Sequence, residues 1–359
     1  MGETVLEVKD LVIKFDLRGQ VLTAIRGASL EVAKGETIAI VGESGSGKSV
    51  FTKSFIGMLD KNGWIDSGSV LFEGQDLAKF KAEKDWLGIR GKKISMVFQD
   101  PMTSLNPLKT VGSQIAEVYV QHRGIDAKAA EKESIEILRR VGIADAEHRH
   151  KQYPHEFSGG MRQRVVIAIA MACAPKILIC DEPTTALDVT IQAQILDLIR
   201  SLQEEYGFTT IYITHDLGVV ANVADRVAVM YSGKIVECGT SEEVFYDPKH
   251  PYTWALLSSL PQLGIKGSPL FSIKGTPPSL FKEISGDAFA PRNPFALKVD
   301  FVREPPRFQV SPTHWAATWL LDPRAPDVEP PEIIKQLRES WQVQDAWLSS
   351  GKRGTGEGR

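Results

Sequence analysis

The sequence predicts an α/β fold on a parallel sheet, and three observations carry the prediction. The octapeptide Gly42-Glu43-Ser44-Gly45-Ser46-Gly47-Lys48-Ser49 matches the phosphate-binding pattern G-x-x-x-x-G-K-[ST] at every fixed position. It stands between a β-branched run, residues 37–41, and a segment of helical apolar spacing, residues 50–59, in the strand, loop and helix order the pattern requires. A second apolar run, residues 177–180, leads into two acids, Asp181 and Glu182, as a buried strand ending at a ligand crevice would.

The octapeptide has a direct chemical reading. Gly42, Gly45 and Gly47 let the backbone curl with its N–H groups inward, Ser44 and Ser46 lie in the same cradle, and the following helix adds its positive end. Lys48 would then rest on the β and γ phosphates of a nucleotide, and the Ser49 hydroxyl on Mg²⁺. Asn62-Gly63 is the expected stop for this helix.

At 359 residues the chain has room for a nucleotide-binding domain and an extension. A net charge of -3 argues against a nucleic-acid partner, because such proteins displace counterions with basic surfaces. No run approaches the roughly 20 apolar residues that span a bilayer, and the start, MGETVLEVKD, carries neither a signal core nor an acylation pattern. The expected location is the cytosol unless a partner holds the chain at a membrane. Cys173, Cys180 and Cys238 lie singly in apolar patterns and read as reduced structural thiols.

The other elements follow in order. Residues 6–15 and 21–32 alternate apolar with polar and read as strands of a β-rich edge, where Phe15 could stack on a purine or be an ordinary sheet residue. A strand is expected over 68–74, a Lys-rich helical segment to about Arg90, and a strand over 94–98 that ends at Gln99, which taken alone reads as a solvated turn residue but could coordinate Mg²⁺ or orient water. Residues 102–153 read as helical, with stripes over 111–120 and 126–141, Asp126 as N-cap and Gly142 as stop. Ser158-Gly159-Gly160 precede a strongly apolar helix and offer a second anion-binding end, though by themselves they read as no more than a cap. Asp181 would hold Mg²⁺ and Glu182 would polarise the attacking water. After a turn containing Asp188, residues 191–206 read as an amphipathic helix. Residues 209–214 form a strand with His215 at its end, in reach of a γ-phosphate oxygen, and 227–230 with 234–238 a closing hairpin.

Taken together, the phosphate loop, Gln99, Ser158-Gly159-Gly160, Asp181-Glu182, Asp188 and His215 resemble, in order, the motifs of the ATP-binding-cassette (ABC) ATPases. Phe157 stands where that family commonly has Leu. The resemblance covers residues 5–245 and implies a P-loop, RecA-like core with an N-terminal antiparallel β-subdomain and a helical subdomain inserted at about 102–165. It also implies that two cassettes pair head to tail, each ATP lying between one P-loop and the other chain's Ser158-type signature. In that arrangement Phe15 would be the adenine-stacking aromatic, Gln99 the lid glutamine, Glu182 the base, Asp188 the trans-interface aspartate and His215 the switch histidine.

Beyond the cassette, residues 246–263 and Gly275-Thr276-Pro277-Pro278 are similar to the C-terminal extension of oligopeptide and dipeptide importer ATPases, nearest the D-type subunit of Gram-positive bacteria. This resemblance implies an ATPase that drives oligopeptide import at the cytoplasmic face of the membrane. Its partners would be an F-type ATPase subunit, two integral permease subunits and an extracellular peptide-binding lipoprotein. Import of another solute (dipeptide, nickel, glutathione), or a soluble non-transport ATPase, is the alternative. Many members place four cysteines in the extension for an iron–sulfur cluster; here the matching positions are Asp287, Asn293, Asp300 and Thr318, so no cluster is expected. The extension is expected over 246–322, with Phe289, Phe295, Phe301, Trp315 and Trp319 as its packed core. Residues 323–331 read as a Pro-rich linker. Ile334, Leu337, Trp341 and Leu348 form a helical stripe expected to dock on the body, and residues 351–359 a disordered tail.

Overall fold

A computed structural model describes residues 2–185, 187–260 and 273–349. The first strands, β1 (Thr4–Leu17) and β2 (Gln20–Ala33), form an antiparallel hairpin whose turn uses Arg18 and Gly19, both at positive φ. β3 (Thr37–Val41) is buried at every position and delivers the chain to the P-loop, after which α1 (Lys48–Lys53) begins. α1 passes into a 3₁₀ turn and stops at Gly57, at φ 60° with the Trp86 ring against it, so a Cβ there would lie 2.3 Å from the indole. The stop is therefore Gly57 and not Asn62-Gly63, because Gly63 already opens β4 (Gly63–Phe72). That strand starts five residues before the expected Gly68, since its pairing with β1 reaches back to Phe15 opposite Gly63. β5 (Gln75–Asp76) completes a four-stranded antiparallel sheet in the order β2-β1-β4-β5.

The Lys-rich segment before Arg90 contains only a 3₁₀ turn and α2 (Glu83–Trp86), held where Phe80 and Trp86 pack edge to face. β6 (Ile94–Val97) returns to the main sheet. The helical part follows as α3 (Pro101–Ser104), α4 (Val111–Val118), α5 (Ala127–Arg140), α6 (Ala146–Arg149) and α7 (Gly159–Met171). α4 gives way at Tyr119 to a π-helical turn ended by Gly124, so the expected stripe over 111–120 is two kinds of helix. Asp126 caps α5 by accepting from the amides of Lys128 and Ala129, and Gly142, at φ 78°, follows its end. The core then closes with β7 (Ile177–Asp181), α8 (Val189–Tyr206), β8 (Thr209–Thr214), α9 (Leu217–Val223), β9 (Arg226–Tyr231) and β10 (Lys234–Thr240).

Strands β9, β3, β8, β7 and β6 run parallel, so the loops after β3, β6, β7 and β8 leave from the same edge. Alternation along β3 divides the interior. Ile38 and Ile40 pack with Phe51, Phe55 and the N-terminal sheet, whereas Ala39 and Val41 face the cluster that includes α7, α8 and the C-terminal region.

The extension is stitched into this sheet. α10 (Ser241–Tyr246) and α11 (Pro251–Ser258) follow β10, and the later strands β11 (Phe308–Gln309) and β12 (Trp315–Ala316) add to its edge, β12 pairing antiparallel with β10. Glu237 of β10 is fully buried at this seam. It accepts from the amides of Lys249 and His250 and lies 2.7 Å from His314 Nε2, itself 1% exposed. Asp287, Asn293, Asp300 and Thr318 are all buried and serve as turn caps. Asp287 accepts from the Phe289 amide, Asn293 from Phe295, Asp300 from Leu297 and Thr318 from Leu320. The expected aromatic core is only partly realised. Phe289 is fully buried and Phe295 packs edge to face on Trp254, but Phe301 is 54% exposed, and His314, Asp300 and Thr318 are buried, as are Ala288, Ala290 and Ala316. α12 (Glu332–Ser349) docks on the body through fully buried Ile334, an Arg338–Asp247 ion pair and stacking of Trp341 on Tyr246. The segment 261–272, the side chain of Leu348 and residues 351–359 lie outside the described residues.

Candidate nucleotide site

The P-loop leaves β3 at Gly42, where the backbone runs against β9. A Cβ on Gly42 would meet the Met230 carbonyl oxygen at 2.1 Å, so only glycine allows the strand to turn there. Gly45 and Gly47 are at φ 79° and 105°, and Gly47 leads directly into α1. The Lys48 ammonium donates to the main-chain oxygens of Gly42 at 2.7 Å and Glu43 at 3.0 Å, so it lies inside the loop. Burial pulls its pKa below the usual lysine value, against the opposing pull of Glu182, Asp181 and Glu43.

The sheet edge brings the expected partners together. Asp181 ends β7, and its carboxylate accepts from the Ser49 hydroxyl at 3.1 Å. Burial raises the Asp181 pKa, with the Ser49 hydrogen bond opposing. A hydroxyl and a buried carboxylate at this spacing are hard oxygen donors of the kind Mg²⁺ takes, so the pair fits a nucleotide-bound cation. Glu182, next in the chain, has φ 47°, and its amide donates to Ile213 at the end of β8. Three neighbours hold its carboxylate: Gln99 Nε2 at 2.7 Å and Thr185 Oγ1 at 3.0 Å on one oxygen, His215 Nδ1 at 2.9 Å on the other. Gln99 follows β6 and His215 follows β8, so each side chain arrives from its own strand end.

Other expected ligands lie elsewhere. Ser158 caps α7 by accepting from the Met161 amide and, with Gly159, is exposed. Asp188 caps α8 from the same exposed region, and a Cβ on Gly160 would lie 2.7 Å from Ile191 of that helix. Phe15 is only 8% exposed, its ring filling the space against Gly63, which leaves little surface for a purine.

Comparison with known proteins shows the family. The oligopeptide transport ATP-binding protein AmiE of Streptococcus pneumoniae is 62% identical over 335 residues, covering 93% of this chain and 94% of that protein. The chain belongs to the ABC transporter ATP-binding proteins. A family model described as ABC transporter matches residues 25–185 of this cassette, and one described as the C-terminal region of oligopeptide/dipeptide transporters matches residues 236–299. The oligopeptide transport ATP-binding protein OppD of Bacillus subtilis is 58% identical, covering 92% of each chain. Among solved structures, a dimeric post-hydrolysis state of the cassette MJ0796, bound to ADP and Pi, superposes with a TM-score of 0.58 at 28% identity, covering 66% of this chain and 98% of that one. The protein is thus an ABC-type ATPase, the nucleotide-binding subunit of a membrane transporter. Among the described residues no helix is long and apolar enough to cross a membrane.

Two features of this cassette escape sequence reasoning. Thr185 is visible only as the third residue after Glu182, one turn on, and a Thr-Thr pair in a turn has no distinctive pattern. Arg292, whose guanidinium pairs with Glu43 inside the P-loop, is 249 residues distant, and no local signal links the two.

Proposed function

We propose that this chain hydrolyses ATP to power import of oligopeptides through a membrane permease. The observation that carries the reading is the gathering of Lys48, Ser49, Gln99, Asp181, Glu182 and His215 at the C-terminal edge of one parallel sheet. Support for a peptide solute comes from AmiE and OppD, both oligopeptide transport proteins of nearly the same length.

In this reading the P-loop amides and Lys48 bind the polyphosphate, and Ser49, Asp181 and Gln99 hold Mg²⁺. The cation would neutralise phosphate charge as the γ-phosphoryl group leaves. Glu182 orients a water for in-line attack and takes its proton, giving ADP and phosphate. Gln99 and His215, one on each carboxylate oxygen, fix the plane of that base. Adenine stacking on Phe15 requires Gly63 to move off the ring.

Ser158, Gly159, Gly160 and Asp188 are assigned to the nucleotide of a second cassette, paired head to tail, with a related F-type subunit as the partner. Their position on an exposed face, and the dimeric form of MJ0796, support this pairing. Two integral permease subunits and an extracellular peptide-binding lipoprotein complete the assembly. The chain then works at the cytoplasmic face of the membrane without a nucleic-acid partner.

The test is transport. A strain lacking this chain should lose uptake of labelled oligopeptides and regain it with the wild-type chain but not with Lys48→Ala. Unchanged oligopeptide uptake in the deletion strain would contradict the assignment.

A further inference from the structure

The extension reaches into the nucleotide site. Arg292 has only 4% of its side chain exposed, and its two Nη atoms donate to the two carboxylate oxygens of Glu43 at 2.6 and 3.0 Å. Nη1 also donates to the Tyr231 hydroxyl at 3.2 Å, and the guanidinium lies over that ring. Nε and Nη2 are anchored on the main-chain oxygens of Lys274 and Ile273. Glu43 is gripped a second time, because its amide donates to the Tyr252 hydroxyl at 2.8 Å. Tyr252 is fully buried, with its ring against Tyr231 and Phe289. The second residue of the P-loop is thus held by both side chain and backbone from a part of the chain outside the general cassette region, residues 25–185.

The grip has a physical consequence. A loop with glycines at φ 79° and 105° has many alternative shapes, and each one populated lowers the fraction ready to receive a polyphosphate. A bidentate pair whose guanidinium is buried fixes position and direction together. Because the Glu43 amide is committed to Tyr252, the loop's anion-facing amides must come from the residues beyond it, and among the described residues no hydrogen bond claims those of Gly45, Gly47, Lys48 and Ser49.

We propose that Arg292 and Tyr252 are positioning residues for nucleotide binding, through which the extension braces the P-loop by holding Glu43. Neither touches the phosphates. The proposal rests on the P-loop being the nucleotide site, and the experiment separates the two claims.

The full chain is titrated calorimetrically with Mg-ADP. If loss of the brace leaves about a tenth of the loops competent, Arg292→Ala raises the Kd about tenfold. Tyr252→Phe removes one hydroxyl from a ring that stays in place, and should raise the Kd about threefold. Arg292→Lys keeps the charge without the fork and should fall between wild type and Arg292→Ala. Arg338→Ala breaks an ion pair of the same C-terminal region, with Asp247, and should leave the Kd unchanged. In the assembled transporter the KM for ATP rises in Arg292→Ala while kcat at saturating ATP stays within about twofold. Binding lost in Lys48→Ala but within about twofold of wild type in both Arg292→Ala and Tyr252→Phe would overturn the brace alone. Binding retained in Lys48→Ala would remove the P-loop reading and the brace with it. Should Arg292→Ala fail to fold, Tyr252→Phe decides. An equal loss in Arg338→Ala would reduce the effect to general destabilisation and overturn the proposal.

Discussion

Gly42 shows how a single position carries both fold and chemistry. Its missing side chain lets the P-loop strand pass within touching distance of Met230, and the clash in Gly42→Ala is with backbone, which cannot swing aside. We expect a loss of about 2–4 kcal/mol in denaturant unfolding, on the scale of strain at a special backbone site. Asp181 illustrates the opposite trade. Burial disfavours its charge, so Asp181→Asn should unfold at the same or a higher temperature than wild type while losing Mg²⁺-dependent ATP turnover. A melting scan beside an ATPase assay checks both halves. At this scale most of the site is legible in the sequence, since Lys48 stands in a glycine-rich octapeptide of fixed spacing, Asp181 and His215 sit where a strand pattern ends, and strand ends of a parallel sheet share one edge. Phe15 was not decidable. Alternation puts it in a strand, but only the pairing of β1 with β4 reveals that Gly63 covers its ring.

Among the elements, helices and strands differ in how clearly their ends can be read. Asp126 and Gly142 mark α5 because a cap and a stop are single-residue signals, whereas the end of α1 at Gly57 depends on Trp86 packing from 29 residues away. The π turn after α4 leaves no periodic trace, since apolar spacing continues through Tyr119. The α12 stripe did foretell docking, and Ile334, with no exposed surface, is its anchor. Ile334→Ala should cost about 2–5 kcal/mol in unfolding free energy, the range for truncating a buried aliphatic side chain. Where α11 begins, burial holds the His250 imidazole below its usual pKa while Nδ1 accepts from the Tyr252 amide, and Asp287 and Glu237 nearby pull the other way. The folded chain therefore binds this proton less readily than the unfolded chain. The stability His250 contributes is present above a pH of about 6.5 and lost as pH falls below it. Melting temperatures at neutral and mildly acidic pH should drop less in His250→Asn than in wild type. His122 and His150, also held down by burial, keep some of the loss in the variant.

For the whole molecule, the strongest departure from sequence expectation is that the extension is no appendage. Periodicity and composition place a boundary near Tyr246, yet β12 joins the cassette's own sheet at β10, and Glu237 ties the two parts through His250 and His314. Two-residue strands such as β11 and β12 are too short to show alternation, which is why this continuity could not be read. Within the extension, Asp287, Asn293, Asp300 and Thr318 cap successive turns by local hydrogen bonds. Through the same extension, Arg292 and Tyr252 bring the C-terminal part to the phosphate loop.

The central claim is that this assembled edge hydrolyses ATP with Glu182 as its base. Its most direct test is single-turnover ATP hydrolysis by Glu182→Gln in the reconstituted transporter, with nucleotide occupancy measured in parallel. The account predicts that ATP stays bound with the cassettes closed while hydrolysis falls by about 10²-fold or more, the scale of general-base loss. Turnover near the wild-type rate in that variant would contradict it.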